Sequence, residues 1–151
     1  MTDDEAMALA LEEAVAAAAA GDVPVGAVVL DAGGSLLARR RNERELSGDP
    51  TAHAEVLAIR DAAVATGSWR LSGATVVATL EPCPMCAGAL VAARVARVVF
   101  GAADPKAGAC GSLYNLCADP RLNHEVDVVA GIGAAACGEV LTAFFASRRL
   151  R

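Results

Sequence analysis

The sequence predicts an α/β fold in which helical layers cover a sheet of mixed strand direction. Apolar runs rich in β-branched residues, typical of buried strands, alternate with longer segments whose apolar residues recur every three or four positions, typical of helices. The first two strand-like runs are close enough to form an antiparallel hairpin. The later runs are separated by helical segments, which favours parallel strands.

The first third of the chain is predicted to form a helix followed by this hairpin. Thr2 and Glu5 resemble a capping box, so a helix begins there and ends before Gly21. Residues 25–30 form the first predicted strand and residues 36–41 the second, with two glycines between them to make the turn.

The middle and last thirds alternate between helices and strands. A helix is predicted from Thr51 until Gly67, with the motif His53-Ala54-Glu55 at its start. A strand at 74–80 then turns into a helix whose first residue is Pro84. The remaining expected elements are a strand at 95–100, a loop at 104–111, a short helix around Leu113, a strand or extended segment at 126–129, and a final helix at 134–149.

Composition limits the class of protein. A chain of 151 residues fits one domain, residues 1–151, with a single hydrophobic core. The N-terminus is acidic where a secretory signal would be basic, and the most apolar later stretch, 87–103, is short and carries two arginines. We therefore expect a soluble, cytoplasmic protein that has no membrane partner.

The charge distribution does not decide whether the protein binds nucleic acid. A net charge of −5 argues against coating nucleic acid through long-range attraction, but it does not exclude a local contact. Basic residues cluster at Arg39-Arg40-Arg41 with Arg44, and again at the C-terminus. Each cluster is either a solvated surface or part of a binding site, and charge alone does not decide between the two.

Three side chains have the composition of a catalytic zinc site. Cys83 and Cys86 are three residues apart, so the first turn of one helix can direct both sulfur atoms at one ion. His53, at the start of another predicted helix, supplies a nitrogen ligand. Three protein ligands leave the fourth tetrahedral position for water, and zinc lowers the pKa of that water to about 7.

Glu55 is the expected proton carrier because it lies two residues beyond His53 and can face the same cavity without binding the metal. Hydrolysis at such a site needs a group that takes a proton from the water, protonates the atom that gains the electrons and then protonates the leaving group. One carboxylate beside the metal can perform all three transfers.

The alternative for a Cys-x-x-Cys pair is a structural zinc site, such as a zinc ribbon or knuckle. That alternative needs a fourth ligand. The other candidates, Cys110, Cys117, Cys137 and His124, have no second paired spacing, and the isolated cysteines are better interpreted as small buried hydrophobic residues.

His-x-Glu followed by Pro-Cys-x-x-Cys is the established signature of zinc-dependent nucleobase deaminases. Beyond it, the chain resembles the bacterial tRNA-specific adenosine deaminases, of the cytidine deaminase-like superfamily, over almost its whole length. The matching segments are Val23-Pro24-Val25-Gly26-Ala27-Val28, Pro50-Thr51-Ala52-His53-Ala54-Glu55, Thr79-Leu80-Glu81-Pro82-Cys83-Pro84-Met85-Cys86-Ala87-Gly88-Ala89, Val98-Val99-Phe100-Gly101, Asp104-Pro105-Lys106-Ala107-Gly108, Gly111-Ser112-Leu113, Leu122-Asn123-His124 and Phe144-Phe145.

The resemblance implies a three-layer α/β/α fold with a central five-stranded mixed sheet, and a homodimer with one zinc ion in each subunit. It implies conversion of adenosine to inosine at the wobble position of the arginine tRNA anticodon, and therefore binding of the tRNA anticodon stem-loop. By the same resemblance Asn42 hydrogen-bonds the flipped base, Leu80 forms a pocket wall and Asp104 meets the nucleotide backbone, while Phe145 and Arg149 approach the anticodon loop.

Two other functions remain as alternatives. The first is a deaminase of a free base or nucleoside, such as guanine, cytosine or cytidine, on the same scaffold. The second is a zinc-stabilised RNA-binding module without catalysis, which the presence of Glu55 in the motif argues against.

Overall fold

The computed structural model describes the backbone of residues 1–149 and the side chains of residues 1–148. Within them, five strands form a single sheet: β1 (Gly26–Leu30), β2 (Leu36–Arg41), β3 (Thr75–Leu80), β4 (Arg97–Ala102) and β5 (Asp127–Ala130). The helices are α1 (Asp3–Ala19), the one-turn α2 (Arg44–Ser47), α3 (Ala54–Thr66), α4 (Pro84–Ala92) and α5 (Ala134–Arg149), with a 3₁₀ turn at Leu116–Ala118.

The strand order in the sheet is β2-β1-β3-β4-β5. Strand β1 is antiparallel to both of its neighbours, whereas β3, β4 and β5 are parallel to one another. The predicted combination of a hairpin with parallel, helix-connected strands is therefore confirmed, and so is the five-stranded mixed sheet that the resemblance implied.

Helices cover both faces of the sheet. Alternate residues of each strand point to opposite faces, so Val28, Val77 and Val99 pack with α1 and α5, while Val29 and Val76 pack into the larger core below α3 and α4. No helix in the described ranges is both long and apolar enough to cross a bilayer.

Gly26 shows how closely α1 lies against the sheet. A β-carbon at this position would overlap the carbonyl oxygen of Ala10 in α1. Only glycine lets the helix approach the first residue of β1 at this distance, and this approach brings the small, alanine-rich face of α1 into the core.

The short helix expected around Leu113 was wrongly placed. The structure has a turn at residues 111–115, closed by a bridge between Cys110 and Asn115, and the only helical turn nearby is the 3₁₀ turn at Leu116–Ala118. The amide of Leu113 donates to the carbonyl of Gly108 and the amide of Gly111 donates to the carbonyl of Tyr114, which removes both amides from helical bonding. Helix α3 likewise begins at Ala54, later than predicted, because His53 is its extended N-cap residue.

Candidate active site

The topology brings four chain segments to one edge of the sheet. Because β1 runs antiparallel to both β2 and β3, the ends of β2 and β3 meet the start of β1, and β4 ends at the same edge as β3. Helices α3 and α4 begin at this edge. Parallel strands in α/β folds characteristically place binding sites at their carboxyl ends, and every pocket residue described below lies near this edge.

The predicted metal-binding side chains lie together. His53 is the N-cap residue of α3, Cys83 is the N-cap residue of α4, and Cys86 is in the first turn of α4. The Nδ1 atom of His53 is 3.7 Å from Sγ of Cys83 and 3.5 Å from Sγ of Cys86. All three donor atoms lie within 4.8 Å of one another, an arrangement that can hold a metal ion.

The electrostatics of the cluster favour a thiolate. Hydrogen bonding from Cys86, with a further contribution from His53, lowers the pKa of the Cys83 thiol to about 4 although burial opposes this shift. The same pairing raises the pKa of the Cys86 thiol. Both sulfur atoms can bind a cation once ionised, because the thiolate is the form of cysteine that ligates metals.

Glu55 is buried beside this cluster, in the first turn of α3, with only 3% of its surface exposed. Its Oε1 atom has no hydrogen-bond partner among the described residues. Burial raises the pKa of this carboxyl group. A buried acceptor without a partner is costly, and its position at the edge of a cavity indicates a group that acts on a ligand.

A pocket opens directly onto this cluster, and three further predicted site residues line it: Asn42, Leu80 and Asp104. His53, Glu55 and Cys83 line the same pocket. The sequence motifs assign no individual role to the other lining residues. These are Val23, Val25, Arg44, Glu81 and Ala107.

Asn42 connects the pocket to helix α3. Its Oδ1 atom accepts a hydrogen bond of 2.8 Å from the amide of Ala54, and its Nδ2 atom donates to the carbonyl of Val23 at 3.2 Å. A side-chain amide has two donor hydrogens and two acceptor positions. Asn42 therefore keeps one donor and one acceptor position for a ligand.

The loop after β4 forms another wall. Oδ1 of Asp104 accepts hydrogen bonds from the amides of Lys106 and Ala107, a turn that Asp and Asn side chains commonly make. The carboxylate of Glu81 accepts hydrogen bonds from the amides of Asp104, Cys110 and Ser112, each at 3.0 Å. Burial raises the pKa of Glu81, but the hydrogen bond from the Ser112 hydroxyl, together with these three amides, lowers it overall.

Phe145 lies outside this pocket. It is 44% exposed and lines a second, neighbouring groove together with Phe144 and Arg148 of α5. Val23 and Arg44 line both depressions, so the groove adjoins the pocket. Arg149 is the last residue of α5, and its side chain lies outside the described part of the structure.

The run of three arginines in β2 does not form an open basic surface. Each guanidinium pairs with carboxylates of neighbouring segments at 2.8–3.3 Å, which favours a structural role for the run. The pairs are Arg39 with Glu12 and Glu13, Arg40 with Glu43 and Asp61, and Arg41 with Glu13.

The other cysteines and the second histidine lie apart from the metal-binding cluster. Cys110, Cys117 and Cys137 are buried, as interpreted from their isolated positions in the sequence. The Nε2 atom of His124 is 2.7 Å from the carbonyl oxygen of Val95, so this ring fastens a loop to the start of β4.

Fold and site together define a deaminase. A family model for MafB19-like deaminases matches residues 1–149. A guanine deaminase from Nitrosomonas europaea has a similar structure, with a TM-score of 0.79 and 26% identity over 95% of this chain and 84% of that one.

Closer similarity is found with a narrower group. The tRNA-specific adenosine deaminase of Bacillus subtilis (strain 168) is 51% identical, with 100% of this chain and 92% of that protein aligned. The Haemophilus influenzae protein of the same name is 43% identical, with 97% of this chain and 85% of that protein aligned. A solved structure from studies of A-to-I editing by tRNA:A34 deaminases has a TM-score of 0.87 and 42% identity, covering 91% of this chain and 99% of that chain. The chain therefore belongs to the MafB19-like deaminases and, among them, to the family of tRNA-specific adenosine deaminases.

Proposed function

We propose that the protein converts adenosine to inosine at the wobble position of a tRNA anticodon, and specifically of arginine tRNA. The observation that carries this proposal is the position of Glu55, a buried carboxyl group with an unpartnered oxygen beside a His-Cys-Cys cluster. The relatives support RNA as the substrate, since identity to the tRNA deaminases is 40–51% against 26–30% for guanine deaminases.

The cluster fits a zinc ion. One imidazole nitrogen and two cysteine sulfurs within 4.8 Å of one another are ligands of the type that zinc selects, and the unpartnered Oε1 atom of Glu55 faces the same region. We propose that His53, Cys83 and Cys86 hold one zinc ion per subunit. When bound, zinc would supply a Lewis acid that lowers the pKa of a water molecule to about 7.

The protein's own groups then have separate roles. Glu55 accepts a proton from the attacking water and transfers it to the ring nitrogen of adenine. It then takes the second proton from the hydroxyl group that has been added to the ring and passes it to the amine, so that the C–N bond breaks, ammonia leaves and the carbonyl group of inosine forms. Burial raises the pKa of Glu55, which favours holding a proton between the transfers. Asn42 uses its remaining donor and acceptor to hold the base, and Leu80 provides an apolar wall.

The target nucleotide must leave the anticodon stack to reach this pocket. We propose that Asp104 contacts the nucleotide backbone beside the target, and that Phe145 and Arg149 contact the anticodon loop. The groove containing Phe145 adjoins the pocket through Val23 and Arg44, so one RNA loop can occupy both.

We propose that residues 1–151 are a single deaminase domain that acts in the cytoplasm as a homodimer. Large apolar side chains are exposed on and beside the layer of α3 and α4, which supports burial of this face by a second copy. They include Val64 (84% exposed), Trp69 (62%), Tyr114 (57%), Leu113 (53%) and Met85 (38%).

The test is an assay of purified protein with an arginine anticodon stem-loop that carries adenosine at the wobble position. A matched stem-loop with the adenosine moved by one position is the control, and adenosine, guanine, cytosine and cytidine form a panel of small substrates. We expect inosine, detected by mass analysis, only in the wobble-position RNA. Deamination of a free base or nucleoside without reaction of the stem-loop would overturn the proposal.

A further inference from the structure

Glu81 is a second buried carboxylate in the same pocket, and it is 2% exposed. Its Oε1 atom accepts hydrogen bonds from the amide of Asp104 and from the Oγ atom of Ser112. Its Oε2 atom accepts from the amides of Cys110 and Ser112. A carboxylate offers about four acceptor positions, so the positions of Glu81 are filled.

Its filled acceptor positions distinguish Glu81 from Glu55. Glu55 has an oxygen atom that no described residue hydrogen-bonds, and this atom is therefore able to exchange protons with a ligand. Glu81 would have to break a hydrogen bond to a backbone amide or a hydroxyl before it could do so. Hydrogen bonds from neutral donors to a carboxylate are stronger than those between neutral groups, which indicates that Glu81 holds other groups in place.

The groups it holds all belong to the segment 104–112, which we call the pocket loop. The pocket loop carries Asp104 and Ala107, both of which line the pocket. The backbone on either side of Glu81 adds two bonds: its own amide donates to Ala102, and the carbonyl of Pro82 accepts from Ala109, each at 2.8 Å. Glu81 thus fastens the pocket loop beside the start of α4.

Gly108 gives independent support for this close approach. A β-carbon at residue 108 would overlap the carboxyl group of Glu81. The residue is buried within the pocket loop. Any larger residue would push the loop away from the carboxylate, so the glycine preserves the contact by leaving space for it.

We propose that Glu81 is a positioning residue for the substrate: it fixes the pocket loop so that Asp104 and Ala107 stand at the correct place beside the bound nucleotide. It has no part in proton transfer or in metal binding. The identity of the substrate as RNA rests on the function proposed above, whereas the anchoring of the pocket loop does not.

The test compares Glu81→Gln with Glu139→Gln, an exposed control on α5, in the full zinc-loaded protein. Glutamine keeps the shape but replaces one oxygen by an NH₂ group that meets N–H donors, so hydrogen bonds to the pocket loop are lost. We expect kcat/KM for the stem-loop to fall roughly tenfold or more, mainly through a rise in KM, because Asp104 and Ala107 would no longer stand where they contact the bound nucleotide. Zinc content should stay at the wild-type level.

Hydrogen exchange of the amides of Asp104, Cys110 and Ser112 provides a readout that requires no RNA. We expect faster exchange in Glu81→Gln and unchanged exchange in Glu139→Gln. If wild-type protein fails to deaminate the stem-loop, the proposed function fails while this measurement still tests the anchor. Unchanged exchange together with unchanged KM in Glu81→Gln would overturn the inference, and so would a loss of zinc in proportion to activity.

Two further variants keep the proposal testable if Glu81→Gln folds poorly. Ser112→Ala removes the hydroxyl donor alone, so we expect a smaller rise in KM. Gly108→Ala displaces the pocket loop while leaving Glu81 intact, and should reproduce the Glu81→Gln result. Gly138→Ala, at a helical position with open space around it, is the matched control for Gly108→Ala. Wild-type KM in both Gly108→Ala and Ser112→Ala would overturn the inference.

Discussion

Oδ1 of Asn42 accepts a hydrogen bond of 2.8 Å from the backbone amide of Ala54, so the residue after strand β2 caps the first turn of helix α3. The helix's own N-cap residue, His53, makes no such side-chain bond. The cap is therefore supplied by a distant residue, which leaves the imidazole of His53 free to face Cys83 and Cys86.

Replacement of Asn42 should affect stability as well as activity. We expect Asn42→Ala to lower the free energy of unfolding by about 1 kcal/mol, the usual effect of losing a helix cap. Asn42→Asp keeps an acceptor for Ala54 and should lose less stability, although both variants should lose deamination because the amide donor is gone. Urea unfolding and the stem-loop assay measure the two effects. An Asn42→Ala variant as stable as wild type would contradict the capping role.

Glu55→Gln should abolish deamination while zinc binding and folding are retained. Glutamine fills the same space in the first turn of α3 but cannot carry the proton from the attacking water. The measurements are inosine formation, zinc per chain by atomic emission, and thermal unfolding, with the exposed Glu139→Gln as control. Zinc lost in proportion to activity would identify Glu55 as a ligand and disprove its assignment to proton transfer.

Zinc content should separate the five cysteines into two groups. Cys83→Ser and Cys86→Ser should lower both zinc content and the melting temperature, because the metal links the starts of α3 and α4. Variants of the three buried cysteines outside the cluster should each retain one zinc ion per chain. These controls are Cys110→Ser, Cys117→Ser and Cys137→Ser, and stoichiometric loss of zinc in any of them would disprove the ligand set.

Phe145→Ala should weaken RNA binding without unfolding the protein. Phe145 is 44% exposed, and stacking of a base on an aromatic ring contributes about 1–3 kcal/mol, so we expect the Kd for the stem-loop to rise roughly ten- to a hundredfold. Phe144 is half-buried, with the guanidinium of Arg148 4.6 Å from its ring centre, so Phe144→Ala should mainly lower the melting temperature. A Phe145→Ala variant that melts early yet binds RNA normally when folded would contradict this assignment.

The sequence predicted those parts of the molecule that depend on short-range spacing. The order of helices and strands follows from local periodicity and turn residues, and the His53, Glu55, Cys83 and Cys86 set follows from two short motifs placed at the starts of helices. The partners of Glu81 could not be predicted because they lie 23 to 31 residues away in the chain. Such contacts depend on how the loops meet after the sheet has formed.

The same reason explains the misplaced short helix around Leu113. Its local sequence permits a helical turn, but the amides of Cys110 and Ser112 are already bonded to the buried carboxylate of Glu81. Likewise, charge alone leaves the arginine run in β2 as either a solvated surface or part of a binding site, and only the folded arrangement shows that acidic side chains from distant segments pair with it.

Arg44 should contact phosphate, whereas Arg39 should not. Arg44 lines both the pocket and the adjoining groove, with its side chain 48% exposed and its nearest carboxylate, that of Glu45, at 3.9 Å. Arg39 is held at 2.8 Å by Glu12 and at 2.9 Å by Glu13. The two residues therefore differ in how available their charge is to RNA.

Binding of the stem-loop measured at several salt concentrations tests this difference. Each phosphate contact contributes about 0.7–0.9 to the slope of log Kd against log salt concentration, so Arg44→Ala should reduce the slope by about that amount and weaken binding at low salt. Arg39→Ala should leave the slope unchanged. Both variants remove one positive charge from a protein of net charge −5, so they alter the long-range field by the same amount. If the two variants reduced the slope of log Kd against log salt concentration equally, net charge, and not the position of Arg44 at the pocket, would govern RNA binding.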